Sequence, residues 1–93
     1  MQQLLSRETE RLTIHAGNVT GTQEIPFEIS PGLSVRSVTD SIAHRMLLPT
    51  DVTWTLRDDS SSAFLDADRP IGDQLERGAH VTITPRAHLG GAA

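Results

Sequence analysis

Leu12-Thr13-Ile14-His15-Ala16 and, beginning nine residues after Ala16, Ile25-Pro26-Phe27-Glu28-Ile29 place apolar side chains at every second position. That is the period of a strand with one buried face. Between them lies Gly17-Asn18-Val19-Thr20-Gly21, rich in residues that tolerate the positive φ angles of tight reversals. The pair predicts a β-hairpin with a loop of several residues. Pro26 has no N–H to give to a ladder, so its strand lies at a sheet edge or the residue at a bulge. Ser30-Pro31-Gly32 closes the hairpin, and Ser34 is placed to cap a helix with its hydroxyl. Val35, Val38, Ile42 and Met46 then recur at spacings of three and four, one face of a helix. Asp40, His44 and Arg45 fall elsewhere on its circumference. Pro49 disfavours helical geometry in the residue before it, so the helix is predicted over Val35 to Leu47.

Working outward, Val52-Thr53-Trp54-Thr55-Leu56 alternates again and predicts a third strand, with Trp54 in the core. Arg57 to Ser62 reads as a polar loop. Phe64-Leu65 reads as a strand of two or three residues. Asp66 to Gln74 is turn-rich, with Ile71 and Leu75 as anchors to the core. His80 to Thr84 is the last strand, with Val81 and Ile83 inward, and Pro85 stops pairing. If Val52, Trp54 and Leu56 face inward, Thr53, Thr55, Thr82 and Thr84 give the outer sheet face a polar surface. The order predicts an α+β fold, a mixed β-sheet of four to five strands with one covering helix. The expected organisation is a polar leader over 1–10, a domain over 11–85 and a Gly-ending tail over 86–93, with leader and tail flexible.

At 93 residues the chain is long enough for a single domain and too short for a large enzyme fold. It is 37% hydrophobic with only 3% aromatic residues, so aliphatic side chains must build the core. Cysteine is absent, which removes disulfides, thiolate nucleophiles and Cys-based zinc sites. The net charge is −4, with basic residues scattered singly, which argues against nucleic-acid binding. All eight basic residues are arginine, a bias that GC-rich coding accounts for and that points to a bacterial source. Met1 to Arg11 has no long apolar run, so neither a signal peptide nor a membrane span is expected, and the expected location is the cytoplasm.

Few residues invite chemistry. His15 and His80 fall on predicted strands, His44 on the helix and His88 in the tail, and no two share helical i, i+4 spacing, so no metal site is expected. Asp58-Asp59-Ser60-Ser61-Ser62 lacks the glycine and the distal glutamate of a calcium loop. No serine sits in a nucleophile elbow, and no glycine-rich loop has phosphate-binding spacing. No catalytic residue and no cofactor are expected.

The order of elements, the stretch Phe64-Leu65-Asp66-Ala67-Asp68-Arg69-Pro70-Ile71-Gly72-Asp73-Gln74-Leu75 and the run from Val81-Thr82-Ile83 to Gly90-Gly91 resemble the ubiquitin-like β-grasp family, over roughly Glu10 to Gly91. The resemblance implies a modifier rather than an enzyme. In it, Gly90 and Gly91 form the conjugating end, a peptidase cleaves before Ala92, and an activating enzyme and a conjugating enzyme pass the Gly91 carboxyl to target proteins. Arg86, His88 and Leu89 would be the tail residues these enzymes read. No nucleic acid and no membrane enter this scheme. Some bacterial ubiquitin-like proteins of this size are encoded beside such enzymes, including in antiphage defence. The chain departs from ubiquitin in the trailing Ala92-Ala93, in Ala87-His88-Leu89 where ubiquitin has arginine before the glycines, and in having no lysine. The family also offers two alternatives: a non-conjugated adaptor similar to the ubiquitin-like accessory proteins of type VII secretion, and a sulfur carrier whose terminal glycine becomes a thiocarboxylate.

Overall fold

The computed structural model describes residues 11–86. Strands β1 (Leu12–Gly17) and β2 (Glu24–Ile29) form the expected hairpin, in register from Leu12 opposite Ile29 to Gly17 opposite Glu24. Asn18 organises its loop. The Oδ1 atom of Asn18 accepts from the N–H groups of Thr22 (2.9 Å) and Gln23 (3.1 Å), and Gly21 takes the left-handed conformation at φ 74°. Helix α1 (Val35–Arg45) follows, then β3 (Trp54–Asp58), the two-residue β4 (Ala63–Phe64), a 3-10 turn over Ile71–Asp73, and β5 (Ala79–Pro85). The strands form one mixed sheet in the order β2-β1-β5-β3-β4. The first and last long strands, β1 and β5, run parallel at its centre, and the other pairings are antiparallel. Pro26 therefore lies on an edge strand, where its missing N–H breaks no interior ladder.

One face of the sheet packs on α1. Ile14, Ala16, Phe27, Leu56, Val81 and Ile83 from the strands meet Val35, Val38 and Ile42 from the helix and Met46 from its C-cap, all buried. Ile25, Ile29 and Trp54 are partly buried against this core. Ser34 caps α1 as expected, its hydroxyl accepting from the Ser37 N–H at 3.2 Å. Two more free N–H groups of the first turn find carbonyls in the connection before β5: Val35 on Arg69 (3.0 Å) and Arg36 on Ala67 (2.9 Å). The same connection returns N–H groups of Ile71 and Gly72 to Leu33 and Pro31, both at 2.8 Å. Ile71 and Leu75 plug the core beneath it, as expected.

Several boundaries differ from the sequence reading. β1, β2 and β5 each run a residue or two longer than read, and Pro85, expected to stop pairing, is the last residue of β5 and lies opposite Trp54. Three further boundaries differ more. The helix stops at Arg45 rather than Leu47. Leu47 turns to φ 60°, and its N–H bonds the His44 carbonyl while that of Leu48 bonds Ala43, the paired bonds that close a helix after a left-handed residue. The third strand covers Trp54–Asp58 rather than Val52 to Leu56, because pairing with β5 runs from Trp54 opposite Pro85 to Asp58 opposite Val81 and draws in two polar residues. The short strand is Ala63–Phe64, opposite Asp58 and Arg57, and Leu65 lies just beyond it.

Candidate functional site

Of the tail residues expected to matter, Arg86 is described. Its backbone N–H donates to the Thr53 carbonyl at 2.6 Å, one residue past the last strand, and its side chain is exposed. It borders a groove between α1 and β3 that is lined by Val35, Thr39, Val52 and Trp54 among others. Trp54 is fixed there by its indole N–H, which donates to the Pro49 carbonyl at 2.9 Å. His88, Leu89, Gly90 and Gly91, and the expected cleavage point before Ala92, lie outside the described residues.

The sheet face turned away from α1 carries Thr13, His15 and Gly17 from β1, Glu24, Pro26 and Glu28 from β2, and His80, Thr82 and Thr84 from β5. This follows from the burial of the alternate residues and the register. Thr55 and Arg57 of β3 extend it, and Phe64 of β4 ends it. The expected polar surface is there. It also contains a feature that spacing along the chain does not reveal. His15 and His80, 65 positions apart in the sequence, stand in register across the parallel β1–β5 seam. Their rings stack with centroids 4.7 Å apart and planes 17° from parallel. The Nδ1 atom of His80 lies 2.9 Å from Glu24 Oε2. Seeing this pair in the sequence would need the β1–β5 register, which no local pattern encodes.

Two stacked imidazoles do not chelate one metal ion, because each ring nitrogen directs its lone pair in the ring plane and a shared ion would lie outside both planes. Among the described residues no group of three or more His, Cys, Asp or Glu side chains is placed to hold a metal. Beside the stack, Asp59 Oδ1 accepts from the Thr82 hydroxyl at 2.7 Å and lies 3.5 Å from Arg57 Nη2. The serine-rich loop is held by Asp58, which accepts from the N–H and hydroxyl of Ser60 and from the hydroxyl of Ser61. Each acidic group of that loop thus has a local structural role. On the helix side, a hydrogen bond to Asp68, with its negative charge, raises the pKa of the exposed Arg36 guanidinium.

This arrangement of strands, helix and connection is the ubiquitin-like β-grasp fold. Solved structures with the same fold include the ubiquitin of Caldiarchaeum subterraneum (16% identical, 83% of this chain and 95% of that chain covered, TM-score 0.69). A chain of a toluene 4-monooxygenase HD complex with the inhibitor 4-bromobenzoate is also similar (15% identical, 80% and 96% covered, TM-score 0.67). So is a chain from a structure of molecular mimicry of SUMO in DNA repair (12% identical, 81% and 91% covered, TM-score 0.69). No protein-family model and no curated protein matches the sequence. At these identities the likeness is one of fold. Among the described residues, no helix is long and apolar enough to cross a membrane.

Proposed function

We propose that this domain is a ubiquitin-like modifier, cut after Gly91 and joined to target proteins through the Gly91 carboxyl. The observation that carries the reading is the placement of Gly90-Gly91 five residues past Pro85, the last residue of β5, on a ubiquitin-like fold. Glycine has no Cβ, so this pair can thread a channel that any side chain would block. The chain supplies the electrophile. A peptidase hydrolyses the Gly91–Ala92 peptide bond. ATP converts the freed carboxylate to an acyl adenylate with loss of pyrophosphate. A thiol of the activating enzyme displaces AMP to form a thioester, a thiol of the conjugating enzyme takes over the acyl group, and a target amine displaces that second thiol. This chain contains no cysteine, so both thioester carriers belong to the activating and conjugating enzymes. In this scheme the domain is a substrate and not a catalyst.

Replacing Gly90 and Gly91 together by valine tests the reading. Transfer to targets should be lost, with an unchanged thermal unfolding midpoint as the control that the domain still folds. Deleting Ala92-Ala93 should make the peptidase dispensable. Unchanged activity of a chain truncated after Pro85 would instead support the adaptor reading.

A further inference from the structure

Arg86, the last described residue, lies in a turn and borders the groove between α1 and β3. The groove has a volume of about 210 Å³, and Val35, Val52, Trp54 and Ala67 give it apolar lining. Most polar side chains along it are already engaged within the domain. The Thr39 hydroxyl donates to the Val35 carbonyl at 2.7 Å, Arg36 pairs with Asp68, and the Trp54 indole N–H donates to the Pro49 carbonyl at 2.9 Å. An aliphatic guest therefore covers carbon without stripping those groups of their partners. The chain itself leads to this place. The Arg86 N–H donates to the Thr53 carbonyl at 2.6 Å, so the backbone is still tied to the segment that carries Val52 and Trp54. Of the residues from Ala87 to Ala93, Leu89 is the one large apolar side chain. It comes three residues after Arg86, a reach of at most about 10 Å. An apolar cavity of roughly 150 Å³ accepts a benzene ring, so the groove has room for a leucine side chain.

We propose that Leu89 seats in this groove and latches the tail against the domain. The occupant is the chain's own leucine because its tether is so short. A group held by a short flexible linker is present at millimolar effective concentration, ahead of a leucine on any freely diffusing partner. Burial of the side chain favours seating, and the ordering of three backbone residues opposes it. The two terms are of similar size, so the latch opens and closes without unfolding the domain. One consequence rests on the modifier reading. A seated Leu89 holds Gly90-Gly91 beside the domain, and the pair can thread a peptidase or an activating enzyme only after Leu89 has left the groove. The seating itself does not rest on that reading.

The test uses the full-length protein. Trp54 is its one tryptophan and there is no tyrosine, so intrinsic emission reports directly on the groove. Leu89→Ser should shift the emission to the red and make it more readily quenched by acrylamide, and Leu89→Met, which keeps an apolar side chain, should not. Millimolar acetylated Ala-His-Leu-Gly-Gly amide, added to Leu89→Ser, should restore the protection, and its Ala-His-Ser-Gly-Gly counterpart should not. In NMR spectra of the unmutated protein, Leu89 methyls should show NOEs to the Trp54 indole and the Val52 methyls. Equal quenching of the unmutated protein and Leu89→Ser, or NOEs from Leu89 confined to its neighbours in sequence, would each overturn the proposal. So would NOEs to Phe27 and Ile29 in place of Trp54 and Val52. No reading in this test uses an enzyme. A tail that is conjugated yet shows no seating refutes the latch alone, and a seated tail that is never conjugated refutes the modifier reading alone.

Discussion

Leu47 combines a φ of 60° with 89% exposure. A left-handed conformation costs an L-residue with a Cβ roughly 1–2 kcal/mol, and glycine is the usual solution at this position after a helix. Part of that saving is lost because glycine gains more freedom in the unfolded chain. Leu47→Gly should therefore stabilise the domain by about 1 kcal/mol, raising Tm by roughly 4–8 °C for a domain of this size. Thermal unfolding checks it, and a lower Tm would show that the leucine side chain supports the fold. Gly72 is the opposite case. A Cβ at that position would sit 2.5 Å from the Pro31 Cβ and 2.9 Å from its carbonyl oxygen. The rigid proline ring and backbone of Pro31, rather than a flexible chain end, are in the way, and the Gly72 N–H is bonded to that same carbonyl at 2.8 Å. Gly72→Ala should cost about 1–3 kcal/mol, the range for overpacking, measured as a lower urea midpoint at unchanged slope. Neither residue's strain was legible in the sequence. Gly72 reads as one turn residue among several, and Leu47 reads as the last residue of the predicted helix.

At the scale of elements, legibility tracked periodicity. The hairpin and the face Val35, Val38, Ile42 and Met46 were readable because alternate and three-four spacings survive in the sequence when one face is buried. Boundaries were less so. The ends of β3 are fixed by its partner β5, and Arg57 and Asp58 enter the strand against their own polarity. Ser34 was legible as a cap, yet the carbonyls of Ala67 and Arg69, which serve the same helix end, come from more than thirty residues away. Ile42 lies fully buried at the centre of the helix–sheet contact. Ile42→Ala should lose about 2–5 kcal/mol, as large-to-small core changes do. A loss well below that range in chemical denaturation would mean that α1 packs more loosely than its burial shows. The stacked His15 and His80 were beyond reach for a different reason. Side chains become neighbours through strand register, and register between the first and last strands is a property of the assembled sheet.

For the whole molecule, the absence of lysine has a chemical consequence under the modifier reading. Copies of this domain offer one another no lysine side-chain amine, so amide-linked branches on its side chains are chemically excluded and ester links to hydroxyls remain. Tandem mass spectrometry of conjugates should find target lysines carrying Gly91 and no amide branch within this chain. The fold itself was readable from the order of elements, since a hairpin, one helix and a returning strand leave few ways to cover one sheet face. The chemistry proposed for the tail rests in the sequence on the pair Gly90-Gly91 alone, because an activated carboxyl needs no supporting cluster of side chains to mark it.

The central claim is tested most directly by intact mass, measured after the full-length protein is expressed together with the genes that flank its own. The account predicts loss of two alanine residues from the chain and the appearance of heavier species linked through Gly91. Persistence of Ala92-Ala93, with no adduct formed even by a chain made to end at Gly91, would contradict it.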